Sequence, residues 1–318
     1  MSNLKVIRDR IKTVQNTRKI TEAMRLVAAA KVRRAQERVL ASRPFADRIA
    51  QILYSLQTRL TFAREANFPW LYNTEWTVET VGLIVITSNR GLCGSYNANI
   101  LKKAEERAAQ LSAEGVVVKY FLVGQKAIQY YKRRPIEIEA QFDNFEQIPT
   151  GDNAAALIDA AQRGFQLDTI QRAEMVYTRF VSLISSRPVV QTVFPIDLTQ
   201  LTAPDDDIFR IIVKQGQFTL ERSPAESDVS LSPQDMLFEQ DPEDILEALL
   251  PIYAQAQALR ALQESAASEL ANRMTAMNNA SDNAQELISA LRLTYNKARQ
   301  SSITQELLEV VAGADAAL

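Results

Sequence analysis

Apolar residues recur at helical spacing at both ends of the chain and in short continuous runs between them. Near the N-terminus Leu4, Ile7, Ile11 and Val14 are spaced by three, four and three residues, which is the a/d seam of paired helices. The seam turns polar at Arg18 and Thr21, resumes with Met24, Ala28, Val32, Ala35 and Val39, and continues after Pro44 through Phe45, Ile49, Ile52, Leu56 and Leu60. Pro44 lacks a backbone N–H and is expected to kink this helix or end it at Arg43. A second helix is predicted from a run of 61 residues, 252 to 312, without one Gly or Pro. Its seam includes Leu259, Leu262, Ala266, Leu270, Met277, Ala280, Ala284, Leu287, Leu291 and Ala298. At about 1.5 Å per residue that run would be roughly 90 Å long. A globule of this chain length has a radius of gyration of only about 20 Å, so the helix is expected to project.

The middle of the chain has a different rhythm. Strands are predicted at Val81–Thr87, Val116–Val123, Ile136–Phe142, Glu174–Leu183 and Val189–Ile196. Helices are predicted at Tyr96–Leu111, Gln125–Lys132 and Asn153–Phe165, after an irregular stretch over 61–80. Strands alternating with helices indicate an α/β layer with a largely parallel sheet. Two β-like runs, Ile208–Lys214 and Gln217–Arg222, meet at Gln215 and Gly216 as a hairpin, and a Ser- and Pro-rich stretch follows. Asp241 as N-cap, Pro242 at the first helical position and Asp244 in the first turn open the last helix. The expected organisation is therefore a helix over 1–60, an α/β domain over 78–197, a hairpin insertion over 198–235 and a helix over 241–318.

Composition narrows the chemistry. The 318 residues carry a net charge of only −2, yet residues 1–40 hold eleven basic side chains against three acidic ones. Residues 241–318 hold eleven acidic against five basic, so opposite fields favour the two helices lying side by side, within the limits of salt screening. Cys93 is the single cysteine and histidine is absent, which excludes an intrachain disulfide, a Cys/His zinc site and any His-based catalytic triad. No stretch approaches 18 consecutive apolar residues, so no transmembrane helix is expected. The basic N-terminal segment contains three acids and runs into the periodic helix, which reads as a mature terminus rather than a transit peptide, in a reducing compartment.

Three features could carry chemistry. The turn Asn89, Arg90, Gly91, Leu92, Cys93, Gly94 follows a strand and precedes a helix, where nucleotide loops sit. Its spacing matches neither the dinucleotide fingerprint nor a P-loop, so it reads as a tight structural turn. Asp205, Asp206 and Asp207 could ligate a hard cation, but without a partner motif they read as a solvated loop. The basic first helix could bind nucleic acid, but it lacks interleaved aromatics and any recognised module. Mid-helix polar residues, Asn278, Asn279, Ser281, Asp282 and Asn283, fit a solvent-exposed helix pair or a rod within a polar sleeve of partner proteins.

Four blocks are specific at the level of a family: residues 4–36 (LKVIRDRIKTVQNTRKITEAMRLVAAAKVRRAQ), 90–97 (RGLCGSYN), 177–196 (YTRFVSLISSRPVVQTVFPI) and 261–313. With these the chain resembles the gamma subunit of F-type ATP synthases, in the cyanobacterial and chloroplast branch, over nearly its whole length. The segment 198–235 resembles the insertion that marks the photosynthetic branch. Chloroplast members carry a cysteine pair there that serves as a redox switch, and this chain has none, which favours a cyanobacterial type without thiol regulation.

The resemblance implies a fold: an antiparallel coiled coil of the terminal helices with a Rossmann-like α/β domain and a β-hairpin insertion. It implies a non-catalytic rotor shaft without a cofactor, coupling proton transport to ATP synthesis. One copy would stand inside three alpha and three beta subunits, touch an epsilon subunit and a membrane c-ring, and lie peripherally on the cytoplasmic, stroma-equivalent side of a thylakoid membrane. Neither nucleic acid nor a transmembrane segment is expected. By residue-wise carry-over, Met24 would lie against the beta subunit lever, and Arg273, Arg299, Gln300 and Thr304 would meet loops of the hexamer. Asp205, Asp206, Asp207 and Gly216 would belong to the regulatory insertion.

Overall fold

A computed structural model describes residues 2–59, 77–196, 208–214, 217–223 and 242–315. Its elements in chain order are α1 (Ser2–Arg59), β1 (Thr80–Ile86), α2 (Tyr96–Ala113), β2 (Val117–Val123), α3 (Gln125–Tyr131) and β3 (Glu137–Phe142). Then come α4 (Gly151–Gln166), β4 (Arg172–Phe180), β5 (Ser186–Phe194), β6 (Ile208–Lys214), β7 (Gln217–Ser223) and α5 (Pro242–Asp315). This is the expected mixed α/β fold with a long helix at each end. The chain divides into two compact units, one of residues 1–30 with 273–318 and one of residues 31–272, so α1 and α5 each contribute to both.

In the larger unit a five-stranded sheet has the order β3-β2-β1-β4-β5. The first four strands in that order run parallel, and β5 returns antiparallel to β4. Alternation along β1 explains why both faces are covered. Leu83 and Val85 point to one face, where they join Tyr96, Ile100 and Ala104 of α2 and Ala127 and Tyr131 of α3. Ile84 and Ile86 point to the other, which holds Leu157 and Ile158 of α4, Leu246, Leu250, Ala254 and Ala258 of α5, and Ile49 and Leu53 of α1. The hairpin β6–β7 pairs antiparallel from Ile208↔Ser223 to Lys214↔Gln217.

Several boundaries differ from the sequence expectation for identifiable reasons. Of the two outcomes expected at Pro44, a kink or an end at Arg43, the end does not occur, and α1 continues through Pro44 to Arg59. The bond lost at an internal proline costs about 3 kcal/mol, and burial of Val39 before it and of Ile49 and Leu53 after it offsets this. The apolar series after Pro44 is also shifted, because Phe45 is exposed while Leu53 is fully buried. Strand β4 stops at Phe180 rather than Leu183, since Val181 and Ser182 both donate backbone N–H groups to Ser185 O and form the turn into β5. Helix α4 begins at Gly151, two residues early, with Asn153 Oδ1 accepting the Thr150 N–H at 3.1 Å. The expected cap at Asp241 lies outside the described residues.

The smaller unit pairs the first part of α1 with the last part of α5. The helices run antiparallel, because Arg18 donates a hydrogen bond to Gln285 while Arg25, further along α1, feels the field of Asp282, earlier on α5. Met277, Ser281, Ala284 and Ile288 are buried at spacings of four, three and four. The apolar position here is therefore Ile288, at 2% exposure, and not the expected Leu287, at 43%. Thr21, which interrupts the α1 seam, is buried with its hydroxyl donating to Arg18 O at 3.0 Å, so the polar residue is satisfied within its own helix.

Glycine is required at one turn in particular. Gly124, between β2 and α3, has φ +91, and a Cβ there would lie 2.4 Å from Thr87 O. Gly124→Ala should lower stability by about 2–4 kcal/mol. Gly151→Ala, at the open first position of α4 with nothing within 4 Å, should cost less than about 0.5 kcal/mol. Thermal and urea unfolding of the two variants checks the contrast.

Candidate partner surfaces and the crevice of the sheet

In open α/β sheets, ligands bind outside the carboxyl ends of the strands, where the strand order reverses. Here that place lies between β1 and β4, and the β1–α2 turn of residues 87–95 borders it. The turn is held by its own polar groups. Asn97 Oδ1 accepts the Ser88 N–H at 3.0 Å, and Ser88 Oγ donates to Arg90 O at 2.7 Å. Asn89 Oδ1 accepts the Gln125 N–H at 3.0 Å while Asn89 Nδ2 donates to Phe145 O at 3.2 Å. Cys93 is buried in this network, within 3.1 Å of Asn97 Nδ2. The structural reading of the turn is the one the geometry supports.

Helix α5 forms one wall of the crevice. Leu262, Ser265, Ala266 and Glu269 line it opposite Ser88 and Tyr96, and leave a cavity of about 280 Å³, just under the roughly 300–1,000 Å³ of ligand pockets. Burial, and then nearby Glu269, push the Tyr96 phenol well above its ordinary range, so it remains a neutral hydrogen-bonding group. Among the described residues no three His, Cys, Asp or Glu side chains are grouped to hold a metal ion.

Charge in the larger unit is used internally. Glu174, 2% exposed on β4, receives Arg107 Nε and Nη2 of α2 in a bidentate pair, both at 2.7 Å. Arg172 Nε lies 2.9 Å from the same carboxylate. A buried carboxylate needs such company, since alone it would face a desolvation cost of several kcal/mol. The hydrogen bond between Arg107 and Glu174 holds the guanidinium above its ordinary value.

The smaller unit offers the open surfaces. On α5, Leu293, Ile303, Leu307, Leu308 and Val310 are exposed, as are Val6, Ile20, Leu26 and Val27 on α1. Ile303, Leu307 and Val310 follow at i, i+4 and i+7, one stripe of a helix. Arg299, Gln300 and Thr304 are exposed beside that stripe, with Thr304 Oγ1 bonded back to Gln300 O at 2.9 Å. Met24 is half-buried on α1, and Arg273 is buried and engaged within the chain. The structure thus groups Arg299, Gln300 and Thr304 and leaves Met24 and Arg273 apart from them in sequence and environment. Asp205, Asp206, Asp207 and Gly216 lie outside the described residues. Residues 1–30 add seven basic side chains against two acidic ones. Among the described residues no helix is long and apolar enough to cross a membrane.

Leu92 has no counterpart in the sequence reading. It is 64% exposed with φ +64, a left-handed backbone uncommon for a non-glycine residue. Only its place between two glycines hinted at this. Leu92→Gly should leave the isolated chain at least as stable, by up to about 1 kcal/mol, because the left-handed residue is relieved. A melting temperature lowered by the change would show instead that the leucine packs locally.

A family described as ATP synthase matches residues 3–317. The ATP synthase gamma chain of Synechococcus sp. (strain JA-2-3B'a(2-13)) is 60% identical over 316 residues, covering 99% of this chain and 100% of that one. The gamma chain of Synechocystis sp. (strain ATCC 27184 / PCC 6803 / Kazusa) is 60% identical over 315 residues, with 99% of each covered. A chain in the cryo-EM structure of the Euglena gracilis mitochondrial ATP synthase, OSCP/F1/c-ring in rotational state 3, aligns with TM-score 0.64 at 21% identity, covering 99% of this chain and 94% of that one. One in the central stalk and c-ring structure of the Tetrahymena thermophila mitochondrial enzyme gives 0.57 at 22% identity, covering 82% and 99%. At those identities the two structures speak for the fold.

Proposed function

We propose, given that this chain belongs to the ATP synthase gamma-chain family, that it is the rotor shaft coupling proton-driven rotation to ATP synthesis. As a gamma chain it is a central-stalk subunit and not the catalytic one, since catalysis lies in the alpha and beta subunits. The observation that carries the reading is identity of 60% across essentially the whole length of curated gamma chains, with both long helices included. The exposed apolar stripe on α5 supports it, because a surface of that kind favours a covering partner. One copy would stand within three alpha and three beta subunits, with epsilon and a c-ring at its base, on the cytoplasmic side of a thylakoid membrane.

The residues proposed to meet the hexamer are Met24, Arg273, Arg299, Gln300 and Thr304. Contacts made in some rotary positions and broken in others bias the positions relative to one another. Reconstitution with alpha and beta subunits is the decisive experiment: this chain should convert a weak ATPase into a fast one, and no stimulation would reject the reading. Arg299→Ala and Gln300→Ala should leave the fold intact, because both side chains are exposed. They should lower ATP synthesis by about three- to tenfold, corresponding to the ~1 kcal/mol of a charge-assisted or neutral hydrogen bond. Loss of assembly at unchanged specific activity would make the role purely structural.

The insertion 198–235, of which the hairpin β6–β7 is described, is proposed as a brake on ATP hydrolysis. Asp205, Asp206, Asp207 and Gly216 belong to it. A bias of ~1.4 kcal/mol between rotor states is enough for a tenfold population shift. Deleting it should raise hydrolysis in the assembled complex, and dithiothreitol should change nothing through this subunit, because Cys93 is the only cysteine. Equal hydrolysis with and without the insertion would remove the brake.

A further inference from the structure

Where α5 crosses the β4–β5 hairpin, the helix presents leucines (Leu250, Leu262 and Leu270), alanines and a polar series. Ala254, Ala258, Ala261 and Ala271 are buried, each at 2% exposure or less. Contacts of small apolar side chains are non-directional, and an alanine-rich face offers similar packing after a shift along the strand or a small rotation. Between the buried leucines, the alanine positions themselves specify the register of this helix weakly.

A polar series supplies what the alanines lack. At one end Gln257 Oε1 accepts from Gln191 Nε2 of β5 at 3.1 Å, and at the other Asn272 Nδ2 donates to Ser186 Oγ at 3.1 Å. Between them the helix grips one strand residue twice. Thr178 donates its backbone N–H to Ser265 Oγ at 3.2 Å, and Ser268 Oγ donates to Thr178 O at 3.3 Å. All three residues are buried, at 4%, 2% and 0% exposure. Thr178 lies two residues beyond Val176, the last β4 residue paired with β1, so the sheet ladder on that side has ended. The two serines, one helical turn apart, take over the hydrogen bonding at that place.

We propose that Ser265 and Ser268 are positioning residues that fix the register of α5 on the sheet, so that torque passes between helix and sheet without slippage. The role rests on the rotor reading above. Directional bonds to a strand backbone are satisfied at one axial and one angular setting only, so a displaced helix leaves buried polar groups unpaired. The clamp thereby opposes the sliding that the alanine face alone would permit.

The test uses the full chain carrying Ser265→Ala with Ser268→Ala, and a second variant, Ser265→Cys with Ser268→Cys, that nearly keeps volume while weakening both bonds. In the isolated chain, hydrogen exchange of the Thr178 amide should quicken at least tenfold, and unchanged exchange would overturn the clamp itself. In vesicles holding the complete ATP synthase, protons pumped per ATP hydrolysed should fall at least twofold at equal assembly. A packing role alone would lower the melting temperature and leave that ratio unchanged, which overturns the proposal, as would failure of both variants to fold. If the unsubstituted chain does not stimulate hydrolysis, the rotor reading fails separately, and the exchange result still judges the clamp.

Discussion

The seating of α5 against β4 and β5 is the interaction on which the larger unit depends. One face of the sheet would otherwise expose Ile84, Ile86, Met175 and Tyr177, and α5 covers it together with α4 and part of α1. Alanines let the helix backbone come close, and close approach brings Ser265 and Ser268 within reach of a strand backbone. Larger side chains at the alanine positions would hold the helix away and leave Thr178 buried without its partners. Packing and hydrogen bonding here are therefore one arrangement, and the alanine-rich stretch 254–258 belongs to it.

A second arrangement stabilises the opposite face. Helix α2 buries Tyr96, Ile100 and Ala104 on the sheet, and its Arg107 reaches the edge of that contact to meet Glu174. The carboxylate is deep and the guanidinium is partly solvated, so the pair fixes α2 along the strand without placing two full charges in the interior. Both faces thus combine apolar burial with polar contacts that specify position.

Much of the fold was legible because periodicity and burial coincide. Leu83 to Ile86 forms a strand buried on both faces, so it reads as a continuous apolar run, and Tyr96, Ile100 and Ala104 recur at helical spacing. The misreadings arose where tertiary contacts overrule local signals. At Pro44 the sequence left open whether α1 would kink or end, and the buried side chains on either side of it favour continuation. Leu287 and Ile288 are equally apolar neighbours, and only the facing helix selects the second. The proposed partner surface was less legible from residue types, because Gln300 and Thr304 are ordinary exposed residues and gain meaning from their resemblance to a family. Leu92 escaped notice because backbone handedness at a non-glycine residue leaves no mark in composition.

The crevice at the carboxyl edge of the sheet has a consequence for how this subunit responds to the cell. A domain that keeps such a crevice for a metabolite gains stability as the metabolite accumulates, by RT ln(1 + [L]/Kd), and loses it on depletion. Here Leu262, Ser265 and Ala266 of the chain's own helix line the space and narrow it to about 280 Å³. A wall tethered by covalent bonds cannot be diluted or exchanged. The packing that this wall contributes to the sheet edge is therefore present at any metabolite concentration.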